Sequence, residues 1–99
     1  MEKDLSVAGL FEVYKELLTE KQRNIFSAYY MYDLSLSEIA ESEGTTRQSV
    51  SEALKKVKDK LNGFEKKLRL KEITDNIYAL SESVSDEELA AKLKETIGI

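Results

Sequence analysis

From Val50 onward the chain sets apolar side chains at Val50, Leu54, Val57, Leu61, Phe64 and Leu68. The steps run four, three, four, three, four, a heptad-type spacing that holds one stripe along one side of an α-helix. A seam sustained for about five turns demands a long helix, and a helix apolar on one side only must be covered by other helices. Asn62-Gly63 interrupts the run of strong helix formers, at roughly 1 kcal/mol for an interior glycine. The seam passes straight through it, so a single continuous helix is expected. The chain contains no proline and nowhere sustains the alternation of a half-buried strand. The fold class that follows is all-α, with extended helices in the C-terminal part.

Upstream, Leu10, Phe11, Tyr14, Leu17 and Leu18 form one stripe on a first helix over Leu5 to Leu18. Thr19-Glu20-Lys21-Gln22 reads as a capping box, the threonine hydroxyl accepting from the third amide while Gln22 reaches back. The helix it opens carries Ile25, Phe26, Tyr29 and Tyr30 at core spacing, and Asp33 lies in a short turn. Ser35 to Glu38 is a second capping box, and Gly44 ends that short helix by taking positive φ. Thr45 or Thr46 caps the next helix, with Gln48 or Ser49 three positions on. Beyond Leu68 the stripe changes phase to Leu70, Ile73, Ile77, Leu80 and Val84, which predicts a kink or helix change near residues 69–72. Ser85-Asp86-Glu87-Glu88 reads as a third capping box before Leu89, Leu93 and Ile97. The expected organisation is a helix-turn-helix domain over 1–71 and a helical extension over 72–99 that packs on the same domain or on a partner subunit.

Two helices crossing steeply need a small residue at the contact, a glycine-like turn and apolar anchors beneath. Ala40, Gly44, and Ile39 with Val50 and Ala53 or Leu54 supply these in SEIAESEGTTRQSVSEAL. The outer face of the second helix is then Arg47, Gln48, Ser51, Glu52 and Lys55. Arginine can pair with guanine and glutamine with adenine in a major groove, each pairing giving about 1–3 kcal/mol of discrimination. Helix-start amides and the Thr45 and Thr46 hydroxyls suit phosphate oxygens, and Lys55, Lys56, Lys58 and Lys60 add cations. Glu52 opposes this unless it accepts from a cytosine amine.

Charge is segregated in the same way. Residues 1–46 carry four basic and nine acidic side chains, 47–71 nine and three, and 72–99 two and seven, so a +6 block sits inside a chain of net charge −4. With neither cysteine nor histidine, the chain has no thiol, zinc-site or imidazole chemistry, and the four glycines form no phosphate loop. No catalytic residue, metal site or cofactor is expected. The N-terminus lacks the pattern of a signal peptide and no run is long enough to insert in a membrane, so a soluble, cytoplasmic protein is expected.

With its flanks, the segment resembles the promoter −35-binding region 4 of bacterial sigma factors. It is more similar still to the YlxM family of small bacterial proteins. The motifs are LLTEKQR, YYMYDLSLSEIA, TRQSV and FEKKL, after an opening helix GLFEVYKELL, over residues 5 to about 71. The resemblance implies a sigma region 4-like helix-turn-helix bundle without enzymatic activity. It also implies a role in the signal recognition particle pathway, beside whose genes the family's own genes lie. It carries a reading helix onto Arg47, Gln48, Ser49 and Ser51. The polar Glu43-Gly44-Thr45 turn departs from the usual hydrophobic one.

The expected nucleic-acid contacts are therefore Thr46, Arg47, Gln48, Ser49, Ser51, Glu52, Lys55 and Lys56. Duplex DNA is the first expected partner. The alternative is an accessory protein that meets the particle RNA, the Ffh GTPase or its receptor without reading DNA sequence. Little N-terminal sequence remains to cover the seam beyond Leu61, which makes Phe64, Leu68, Ile73 and Ile77 the expected contacts of a homodimer.

Overall fold

The computed structural model describes residues 4–98. Six α-helices follow in order: α1 (Leu5–Tyr14), α2 (Glu20–Tyr30), α3 (Leu36–Glu43), α4 (Arg47–Leu68), α5 (Leu70–Ser83) and α6 (Glu87–Thr96). Among the described residues there is no strand. α4 runs unbroken through Asn62-Gly63 and is the axis on which the others pack, as its seam requires.

The seam meets two separate covers. Toward its N-terminal end, Val50 and Leu54 pack with Ile25 and Tyr29 of α2 and Ile39 and Ala40 of α3. Farther along, Val57 and Leu61 pack with Val7, Leu10, Phe11 and Tyr14 of α1, together with Leu18 and Phe26. Aromatic rings join the two: Phe26 stacks on Phe11 at 4.4 Å and on Tyr30 at 4.3 Å, while Tyr29 meets Tyr30 edge-on at 5.2 Å. Ring pairs at such spacings add to the area they bury. The aromatic face of α2 is thus core.

Helix ends follow the local chemistry. Both Thr19 and Ser35 form complete capping boxes, with Gln22 and Glu38 as the returning side chains. The Ser35 amide, seconded by its hydroxyl, holds the Glu38 carboxyl below the usual carboxylate range. Two expectations are corrected. The first helix stops at Tyr14 and continues as a 3-10 turn, Lys15–Leu17, leaving Leu17 exposed. The tighter winding of about three residues per turn rotates Leu17 off the stripe. At the last helix Asp86, not Ser85, is the cap, its carboxylate accepting from the Glu88 and Leu89 amides at 3.0 and 3.2 Å. A carboxylate is charged and reaches two amides at once, which a hydroxyl one residue earlier cannot match.

The helix change after Leu68 falls on Arg69, whose φ of 54° is left-handed. It creates a sharp start to α5 with three amides that lack intrahelical acceptors. All three are met from outside α5. The Leu70 amide donates to the Tyr14 hydroxyl (3.0 Å), the Lys71 amide to Glu65 Oε1 (3.0 Å) and the Glu72 amide to Glu65 Oε2 (3.2 Å). Tyr14 itself donates to Glu65 Oε1 at 2.5 Å. One tyrosine from α1 and one glutamate from α4 together cap a helix to which neither belongs.

The start of α5 lies against α1, where the Lys71 chain crosses Gly9 so closely that a Cβ there would sit 2.7 Å from Lys71 Cε. α6 folds back along α5. Lys94 pairs with Glu82 at 2.7 Å and lies 5.2 Å from the Tyr78 ring centroid. The buried Ser81 donates to the Tyr78 carbonyl within α5.

Candidate nucleic-acid interface

The N-terminal end of α4 is set by local packing and capping. Ala40 is buried in the cluster that joins α3 to α4, where its small side chain suits a close approach. Gly44 adopts φ 66° and closes α3, its amide bonding to the Ala40 and Glu41 carbonyls. That conformation is easy for glycine and strained for residues with a Cβ. Thr45 N returns to the Ala40 carbonyl at 2.9 Å, and Thr46 then caps α4 by accepting from the Ser49 amide at 3.0 Å. The Thr46 hydroxyl oxygen is therefore already engaged within the chain.

With Val50, Leu54 and Val57 facing the core, the opposite side of α4 is open. Thr46, Arg47, Gln48, Ser49, Glu52, Lys55 and Lys56 are all exposed, and Ser51 is half-buried. Gln48 donates from its amide nitrogen to Glu52 Oε1 at 3.3 Å, a contact one turn along the helix. Glu52, Lys55, Lys56, Asp59 and Lys60 line a shallow depression on this side.

The basic block is less concentrated than its sequence. Lys58 pairs with Asp4 at 3.4 Å, and Lys60 donates to Gln22 Oε1 at 3.3 Å. These two lysines lie on the flanks of α4 that touch α1 and α2, so of the four lysines expected to meet phosphates Lys55 and Lys56 are the two without a partner on another helix among the described residues. At about 100° per residue, positions 58 and 60 diverge by roughly 200° around the helix, so adjacency in sequence does not become one patch. Lys66, Lys67 and Arg69 sit at the far end of α4. Arg69 bonds through Nε and Nη2 to Glu72 at 2.8 and 3.0 Å.

Sequence reasoning missed acidic neighbours. Asp59 lies one turn beyond Lys55 and Lys56, and Glu41 and Glu43 of α3 are exposed just before the turn. A helical projection of Glu52, Lys55, Lys56 and Asp59 places both signs on one side. Among the described residues no group of acidic side chains is arranged to hold a metal ion, and no helix is long and apolar enough to cross a membrane.

Of the expected self-association contacts, Phe64 is half-buried. Its ring lies 5.7 Å from that of Tyr14 and packs on the α1–α4 cluster. α1 reaches farther along the seam than its length suggested, because Tyr14 at its end leans over the fifth turn of α4. Leu68 and Ile73 are exposed and Ile77 is half-buried.

Comparison with known proteins places these features in a family. The model of the UPF0122 family, described as "Putative helix-turn-helix protein, YlxM / p13 like", matches residues 1–98. A UPF0122 protein of Clostridium kluyveri is 43% identical over 86 residues, spanning 87% of this chain and 78% of the relative. One of Clostridium perfringens is 38% identical over 87 residues, with 88% and 78% covered. One of Mycoplasma capricolum is 36% identical over 102 residues, covering 98% and 90%.

Proposed function

Since the chain belongs to the UPF0122 family of YlxM/p13-like helix-turn-helix proteins, we propose that it is a nucleic-acid-binding regulatory protein that works through the N-terminal half of α4. The observation that carries this reading is the exposure of Gln48, Lys55 and Lys56 on the side of α4 away from its buried Val50, Leu54 and Val57, with Arg47 exposed at the helix start. An arginine and an amide side chain in the first turn, beside two lysines with no ion pair to another described residue, suit a duplex groove flanked by phosphates. Thr46, Ser49 and Ser51 complete the polar rim. The cellular setting that the YlxM resemblance supports is the signal recognition particle pathway, with the particle's GTPase or its receptor as protein partners in the cytoplasm.

The number of free cations sets the expected salt response. Arg47, Lys55 and Lys56 would release about three counterions per copy, so raising salt fourfold weakens duplex binding by roughly 40-fold. Fluorescence anisotropy with a labelled duplex at two salt concentrations measures this. Arg47→Ala and Gln48→Ala should each lower affinity. Glu52→Gln should raise it, because it removes a like charge from the phosphate path and frees Gln48. Duplex affinity that ignores all three substitutions refutes the assignment.

A second reading is favoured by the acids. Glu41, Glu43, Glu52 and Asp59 interrupt the face on which DNA would lie. A ligand that meets only Lys55, Lys56 and the far cations Lys66 and Lys67 would avoid most of them. A structured RNA recognised by shape and phosphate fits that description, and needs little from Arg47 and Gln48. Binding of the particle RNA that survives Arg47→Ala and Gln48→Ala but falls with Lys55→Ala and Lys56→Ala supports this reading over the first.

A further inference from the structure

The apolar stripe changes phase after Leu68, but no helix-breaking residue marks the place. From Phe64 to Ser83 there is neither glycine nor proline, and the segment EKKLRLKE over 65–72 consists of strong helix formers. Yet α5 begins one residue after α4 ends, across Arg69 at φ 54° and ψ 29°. For a residue with a Cβ, that left-handed backbone is disfavoured by a factor of about 5–30 in population. Local preference therefore asks for one helix over 47–83, and the tertiary structure overrules it.

The hydrogen bonds identify what overrules it. The Arg69 amide donates to the Glu65 carbonyl and the Ile73 amide to the Arg69 carbonyl, both in helical register. Between them lie the amides of Leu70, Lys71 and Glu72, which in a continuous helix would donate to the carbonyls of Lys66, Lys67 and Leu68. The Tyr14 hydroxyl and the two Glu65 oxygens replace those acceptors one for one. A straight junction and a bent one thus satisfy the same donors by different means.

Burial adds little to the bend. No apolar residue of α5 is buried, and the helix meets α1 through the Lys71 chain laid over Gly9. Leu68, Leu70 and Ile73 are already 47%, 43% and 46% exposed with the chain bent, so straightening strips little from them. We propose that Arg69 is a two-state hinge and that the Tyr14–Glu65 pair is its latch. Latched, α5 is turned against α1. Unlatched, α4 and α5 join into one helix, and the α5–α6 arm, tied by the Lys94–Glu82 pair, swings off α1 together. The hinge lies beyond the N-terminal half of α4 and does not depend on what that half binds.

Spin labels at Asp59→Cys and Ser83→Cys test the proposal, both being exposed positions in a chain without cysteine. A continuous helix holds these two positions about 36 Å apart, and the latched chain holds them closer. Pulsed dipolar spectroscopy of the full chain should give the shorter distance when Tyr14 and Glu65 are intact. Tyr14→Phe with Glu65→Ala should raise the ratio of straight to bent by about 30-fold or more, seen as a peak near 36 Å. Adding Arg69→Gly, which takes the left-handed backbone without strain, should shrink that peak about 5–30-fold and restore the short distance. An unchanged short distance in the latchless variant overturns the proposal. So does a broad spread with no peak near 36 Å, the mark of a frayed junction, or a long distance that Arg69→Gly leaves in place. Should circular dichroism show the double variant unfolded, Tyr14→Phe alone keeps the ring packed on Phe64, and the same readings on it decide.

Discussion

Removing one oxygen atom should loosen the junction between α4 and α5. In Tyr14→Phe the ring stays, so its packing on Phe64 and the α1–α4 cluster is kept. Lost is the hydroxyl, which donates to the Glu65 carboxylate and accepts from the Leu70 amide. Tyr14 is 1% exposed, so water does not readily replace either partner. A hydrogen bond to a charged acceptor contributes about 1.5–3 kcal/mol, and a stranded amide adds to the loss. The expected destabilisation is about 2–3 kcal/mol, a large fraction of the stability of a small domain. Urea unfolding followed at 222 nm measures it, and the thermal midpoint should fall by about 10 °C. Exchange of the Leu70, Lys71 and Glu72 amides should quicken more than that of the α2 core. A double-mutant cycle with Glu65→Gln isolates the pair and should give a coupling of about 1 kcal/mol. A Tyr14→Phe loss below about 0.5 kcal/mol, or strict additivity in the cycle, would show that the shared cap does not hold α5.

The same tyrosine sets an alkaline limit. Burial first, and the Glu65 carboxylate second, raise its phenol above the ordinary value of about 10. The folded state then holds this proton more tightly than the unfolded chain, so its contribution is complete below pH 10 and is lost as pH rises toward the folded value. Wild type should lose stability above pH 10 more steeply than Tyr14→Phe, as urea midpoints at pH 8 and 10.5 would reveal. Gly63→Ala should stabilise by about 0.5–1 kcal/mol, since the site is helical and nothing lies within 4 Å of an added Cβ. Gly44→Ala, equally open, should destabilise by about 1 kcal/mol because of its left-handed φ. Opposite signs in thermal melts of these two variants check that backbone conformation, not space, decides. Thr46→Ala should cost about 1 kcal/mol through loss of the α4 cap, measurable in the same melts.

Much of the architecture was legible in the chain because its causes are local. A heptad step repeats along one helix, a capping box spans four residues, and a left-handed glycine ends a short helix. Each is specified by neighbours in sequence, and Thr19, Ser35, Gly44 and the α4 seam through Gly63 take the expected forms. The outward direction of Gln48, Lys55 and Lys56 followed from the same periodicity, since burying Val50 and Leu54 leaves the other side free, whereas Arg47 falls on the seam's own stripe and is exposed at the start of α4. What only the tertiary structure decided are relations between distant residues. No pattern announced that Tyr14 and Glu65 would cap α5 across 56 and 6 positions of chain. Nor did sequence show that Lys58 and Lys60 would be drawn to Asp4 and Gln22, or that α5 would turn half its apolar stripe outward. Periodicity states which side chains share a helix face, whereas the partner of that face depends on how whole helices pack. That packing is selected by the summed burial of many side chains.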